Sequence, residues 1–100
     1  MKILHLSDTH GCHRRLAELP DADVLITHSP AYGILDFDDN INYGDEQLLT
    51  KVMEIKPRLH LFGHIHAKHG ITTEHGITFS NGAIMNSDYT DLNTPNLIEI

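Results

Sequence analysis

Apolar residues fall into short runs along this chain, and each of the first three runs gives way to a histidine or an aspartate. Residues 2–7 ("KILHLS") are rich in β-formers and lead into the polar turn "SDTHG", which predicts a buried strand. "CHRRLAEL" follows, with Leu16 and Leu19 three apart and Pro20 behind them, the pattern of a short helix. "ADVLITH" is a second strand, residues 22–28, stopped by "SP"; residues 29–43 read as a loop. "DEQLLTKVMEIK" carries Leu48, Leu49, Val52, Met53 and Ile55 at helical spacing, with acids in its first turn and Pro57 beyond its end. "RLHLFGH", residues 58–64, is a third strand. Residues 70–81 predict a hairpin turning at His75-Gly76, and "NLIEI" a final strand.

Strands alternating with helices imply parallel pairing through right-handed crossovers. The expected fold is α/β: a small mixed sheet with a parallel β-α-β-α-β core and C-terminal antiparallel strands. No repeat, linker or low-complexity segment divides the chain, so residues 1–100 are expected to form one domain.

In such a sheet the strand C-termini share one edge, and ligands bind in the crevice outside it. The first strand is followed by Asp8 and His10, the second ends at His28, and the third leads to His64 and His66. Each delivers a metal-ligand type to that edge. The i, i+2 spacings of Asp8/His10 and His64/His66 point both side chains of a pair the same way in extended backbone. Gly11 and Gly63 would let the chain turn sharply or pack closely beside them. Imidazole with carboxylate suits Mn, Fe, Zn, Co or Ni, whereas Cys12, the lone cysteine, cannot build a thiolate site. The other histidines have plainer readings. His5 and His60 lie in strands and are structural or exposed; His13, His69 and His75 are solvated, with His69 near enough to approach the site. Asp36, Asp38 and Asp39 read as acids of a solvated loop.

Composition narrows the function classes. A net charge of −7 with no basic run argues against nucleic acid or an anionic membrane as partner. Bound divalent cations would offset part of that charge. With 40% hydrophobic and 21% charged residues the chain is globular rather than disordered. A single cysteine suits a reducing compartment. "MKILHLSD" is neither a signal peptide nor long enough to span a membrane, so the expected location is cytoplasmic.

Together, "SDTHG", "ITHSPAYGILD", "PRLHLFGHIH" and "FSNGAIMN" resemble the calcineurin-like metallophosphoesterases. The resemblance is to the branch of small phosphodiesterases that includes the metallophosphoesterase-domain brain proteins. It implies a two-metal hydrolase of phosphate esters. Asp8, His10 and His66 match the ligands of one metal, His28 and His64 those of the other, and Asn81 matches a position near the site. A hydroxide between metals about 3.5–4 Å apart attacks phosphorus in line. The departures matter as much. The family's bridging Gly-Asp and its Gly-Asn-His, which supplies a leaving-group proton donor, are both missing. Gly44-Asp45 opens a predicted helix and reads as its cap. "DADVLI" runs straight into "THSP", as though two similar strands had been fused.

By that resemblance the first site keeps three of four protein ligands and the second two of four. Three can hold one ion well, with water at the open position. The expectation is therefore a minimal phosphoesterase with an incomplete dinuclear centre, one tight divalent ion and a weaker second, in which His28 and His64 also assist catalysis. The alternative is a non-catalytic metal-binding or regulatory module. The feature separating them is whether Asp36, Asp38 or Asp39 replaces the missing bridge. A nuclease is the least favoured reading of this acidic chain. A sheet face left uncovered by the shortened sequence implies a homo-oligomer.

Overall fold

The computed structural model describes residues 1–5, 21–85 and 88–99. Its centre is a five-stranded sheet of β1 (Ile3–His5), β2 (Val24–Ile26), β5 (Leu59–Phe62), β7 (Ile77–Asn81) and β6 (Gly70–Glu74), in that spatial order. β1, β2, β5 and β7 run parallel, and β6 pairs antiparallel with β7. This is the expected mixed sheet, with the hairpin inserted so that β7 extends the parallel set. The hairpin turns at His75 (φ 55°) and Gly76 (φ 77°), the positive-φ pair that matches the twist of its strands. The expected helix over residues 12–19 lies outside the described residues. "NLIEI" is not a strand among its described residues, 96–99. Instead Asn96 Nδ2 donates to the Asn81 carbonyl (3.0 Å), to Ser80 Oγ (2.9 Å) and to the Gly70 carbonyl (3.2 Å). A side chain, not a backbone ladder, fastens this segment to the hairpin.

Register decides what the sheet buries. Leu4, Leu25, His60 and Phe79 stand opposite one another in adjacent strands and share a face. Alternation adds Phe62, Ile77 and Asn81 to it. Helix α1 (Glu46–Ile55) brings Leu48 and Val52 into the same core cluster as Leu25, Phe62, Ile77 and Phe79. The Asp45 carboxylate caps α1 by accepting from the Leu48 N–H at 2.8 Å, as the sequence implied. Lys56, left-handed at φ 50°, ends the helix ahead of Pro57. On the other face Val24 and Leu59 are buried, Ile26 and Leu61 half-buried, and Ile3 and Ile71 exposed.

The stretch read as a plain loop, residues 29–43, holds a small ribbon of β3 (Phe37–Asp38) and β4 (Ile41–Asn42). Asp39 (φ 49°) and Asn40 (φ 63°) form its tight turn. Asp36, 1% exposed, organises the approach to the ribbon. Its carboxylate accepts from the N–H groups of Gly33 (2.9 Å) and Gly44 (2.8 Å) and from Asn42 Nδ2 (2.8 Å). At Gly44 a Cβ would lie 2.3 Å from the Ala31 carbonyl oxygen, so only glycine fits there.

Candidate active site

β2 and β5 are neighbours, so the segments leaving their C-termini run side by side. The Thr27 N–H donates to the Leu61 carbonyl (2.9 Å) and the Gly63 N–H to the His28 carbonyl (3.0 Å). These bonds carry the pairing past the strand ends and set His28 beside His64. The two rings lie with centroids 4.9 Å apart, tilted by 46°, and both side chains are exposed. Their joint arrival at the sheet edge follows from strand order.

The turn after β5 is built differently from the sequence expectation. Gly63 was expected to supply the sharp bend, yet the positive φ belongs to His64, at 75°. The Ile65 N–H donates to the Gly63 carbonyl at 2.9 Å, closing a three-residue γ-turn around His64. The positive φ of this turn is uncommon and strained for a residue that carries a Cβ. His66 then begins a 3₁₀ turn, His66–Lys68. The i, i+2 pair reaches one pocket, but through this turn and not through extended alternation.

Asn81 holds the strained turn from below. It is fully buried; its Nδ2 donates to the Ile65 (2.9 Å) and Leu35 (3.1 Å) carbonyls, and its Oδ1 accepts from the Ala83 N–H (3.0 Å). Ile65 lies between His64 and His66, so Asn81 tethers the backbone of the segment that carries both. It is a brace, with its polar atoms spent on backbone.

His64, Ile65 and His66 line a pocket of about 250 Å³ together with Asp38, Tyr43 and Tyr89. Among the three candidate acids the structure discriminates. Asp36 is buried and committed to the loop, Asp39 sits in the ribbon turn, and Asp38 alone of them lines the pocket. The Tyr89 ring lies 4.9 Å from His66, tilted by 42°. Neither tyrosine carried a signal in the sequence, because their neighbourhood depends on the ribbon and on the segment after β7.

Asp8, His10 and His13 lie outside the described residues. Among the described residues no three His, Cys, Asp or Glu side chains converge closely enough to hold a metal ion. The chemistry of the donors nevertheless fits a divalent ion in part. The buried Nδ1 of His66 has no hydrogen-bond partner, and His28 and His64 stand together unburied. His69 departs from its solvated reading: it is half-buried, and its Nε2 is buried without a partner. His5 and His75 are exposed. His60 is structural, as expected. Its Nε2 lies 2.9 Å from Thr27 Oγ1, and burial lowers its pKa from 6.5 to about 4.

No protein-family profile matches the chain. Individual proteins do. It is 39% identical over 84 residues to a UPF0046 protein of Caenorhabditis elegans, an alignment covering 78% of this chain and 30% of that protein. It is 36% identical over 81 residues to human metallophosphoesterase domain-containing protein 1, covering 78% of this chain and 25% of its relative. The mouse protein of that name matches equally. The chain thus spans between a quarter and a third of the length of these relatives. One solved crystal structure superposes with a TM-score of 0.57 at 16% identity, over 81% of this chain and 40% of the other, which supports the fold alone. Among the described residues no helix is long and apolar enough to cross a membrane. Over most of its own length the chain is similar in sequence to metallophosphoesterase domain-containing proteins.

Proposed function

We propose that residues 1–100 act as one domain, a minimal metal-dependent phosphoesterase that hydrolyses phosphodiesters or phosphomonoesters. The observation that carries this reading is that His28 lies beside His64, and His66 lines the same pocket as His64, outside the C-termini of β2 and β5. The name of the human and mouse relatives, metallophosphoesterase domain-containing protein 1, points the same way. In this reading Asp8, His10 and His66 hold one divalent transition metal (Mn, Fe, Zn, Co or Ni) tightly, and His28 with His64 a second more weakly. A bound ion supplies an acidified water and positive charge against the phosphoryl oxygens. His28 and His64 orient the phosphate, and Asn81 keeps His64 and His66 at the pocket. The family's proton donor is missing, and general-acid assistance is worth about 10² to 10⁴ in rate. Esters with good leaving groups are therefore favoured.

The test is hydrolysis of bis(p-nitrophenyl) phosphate with Mn²⁺. It should be measurable, lost in His66→Ala, and far faster than hydrolysis of a cyclic nucleotide. Equal rates on the two substrates would mean that another group, His69 or His13, delivers the proton. The second reading is a non-catalytic metal-binding or regulatory module, favoured by the missing bridging Gly-Asp and Gly-Asn-His motifs. Confirmed metal uptake with no hydrolysis of either substrate would establish it.

The remaining features of the proposal are a cytoplasmic location and a homo-oligomer. Ile3, Ile26, Leu61 and Ile71 share the face of the sheet opposite α1 and are exposed or half-buried. Covering such a face contributes roughly 25 cal/mol per Å². Light scattering at micromolar concentration should give a dimer or larger; a monomer overturns this part.

A further inference from the structure

We propose that the pocket beside His64 and His66 is a subsite for one aromatic ring, so that the ligand this site selects is an aryl-bearing phosphate ester. The inference rests on the phosphoesterase reading only for the anionic end of the ligand. The ring end rests on the pocket. Its lining divides into imidazoles (His64, His66), an apolar side chain (Ile65), two phenol rings (Tyr43, Tyr89) and one carboxylate (Asp38). An apolar cavity of about 150 Å³ is enough to hold benzene. The volume of about 250 Å³ here takes a single ring and leaves room for a phosphoryl group beside it.

Both tyrosines are open to a ligand. Tyr43 is 49% and Tyr89 66% exposed, so neither ring is claimed by the core. Tyr89 nevertheless keeps a left-handed backbone, φ 59°, with its ring 4.9 Å from His66. Tyr43 is anchored by its N–H, which donates to the carbonyl of the buried Asp36 at 3.1 Å. Aromatic rings attract at centroid separations of about 4.5–7 Å in tilted or offset arrangements. A ligand ring resting on the Tyr89 phenol thus sits within reach of the His66 imidazole, and Tyr43 lines the same pocket. Asp38 adds selectivity: it lines the same pocket, and its negative charge disfavours a ligand with further anionic groups. A neutral ring with a single phosphate is the best match.

Binding must be separated from leaving-group chemistry, so the probes are phosphonates, whose P–C bond the site does not cleave. Calorimetry of the Mn²⁺-loaded protein should show phenylphosphonate binding about threefold to tenfold tighter than methylphosphonate. The gap should close in the Tyr43→Ala/Tyr89→Ala double variant and persist in Tyr43→Phe/Tyr89→Phe, since the ring and not the hydroxyl carries it. Circular dichroism of both variants confirms the fold. Equal affinity of the two phosphonates for the unaltered protein would overturn the ring subsite while leaving the phosphoesterase reading intact. A gap that survives the alanine variant would overturn the assignment to these tyrosines. Failure of both phosphonates to bind, with metal uptake confirmed, would overturn the phosphoesterase reading and the subsite with it.

Discussion

Mild acid should weaken this fold through one side chain, His60. Its ring is fully buried, with Phe62 and Phe79 at centroid distances of 4.9 and 5.7 Å. Thr27 Oγ1 donates its proton to the Ser29 carbonyl at 2.7 Å, so toward His60 it accepts, and the imidazole proton sits on Nε2. Nδ1 is then a buried lone pair without a partner. Protonating it places a charge in the core with nothing to receive the new N–H, which is why burial lowers the pKa to about 4. The folded value lies below the unfolded one, so the unfolded chain binds more protons between about pH 4 and 6.5. The stabilisation is whole above pH 6.5 and is lost as pH falls toward 4. At 1.36 kcal/mol per unit the full loss is about 3 kcal/mol, and about 2 kcal/mol is gone by pH 5. Against a total stability of roughly 5–15 kcal/mol this is large. Urea unfolding followed by circular dichroism, with chelator present, should show it between pH 7.5 and 4.5. His60→Leu supplies the reference: it should cost about 1 kcal/mol at pH 7 for the lost hydrogen bond, yet fall less steeply with acid. Parallel pH profiles for the two proteins would refute the reasoning, because every other titrating group is common to both.

Two further substitutions probe the architecture around the site. His64→Gly relieves a positive φ that costs a non-glycine residue about 1–3 kcal/mol, so urea unfolding should show stability unchanged or raised while hydrolysis is lost; a clear destabilisation would mean the turn is not strained. Asp36→Ala strands the buried N–H groups of Gly33 and Gly44 and should cost about 3 kcal/mol, with Asp36→Asn nearer 1 kcal/mol because it keeps an acceptor; equal costs would mean that charge, not hydrogen bonding, holds the loop.

What the sequence made legible depended on the range of the interaction. The first three strands, their parallel pairing and the helix were visible because hydrophobic periodicity and capping are local: Asp45 caps α1, and Leu48, Val52 and Ile55 bury. Strand-end logic alone placed His28 beside His64. The turn at His64 is not legible, because glycine is the usual bearer of positive φ, whereas here a histidine carries it in a turn closed by the Ile65 N–H on the Gly63 carbonyl. The Asp36–Asp39 run looked uniform, yet its members part ways once Gly33, Asn42 and Gly44 surround Asp36 and the ribbon turns Asp38 to the pocket. Tyr43 and Tyr89 meet at that pocket from 46 positions apart, a juxtaposition no local pattern records. "NLIEI" has strand-like composition, but Asn96 ties the segment to the hairpin by its side chain instead.

The central claim is that the sheet edge carrying His28, His64 and His66 holds metal with Asp8 and His10. The most direct test is a crystal structure of the metal-replete protein with anomalous data at the edge of the added ion. The account expects one strong anomalous peak ligated by Asp8, His10 and His66, and a weaker, partly occupied one between His28 and His64. No peak at this edge, or a fully occupied ion held by other residues, would contradict it.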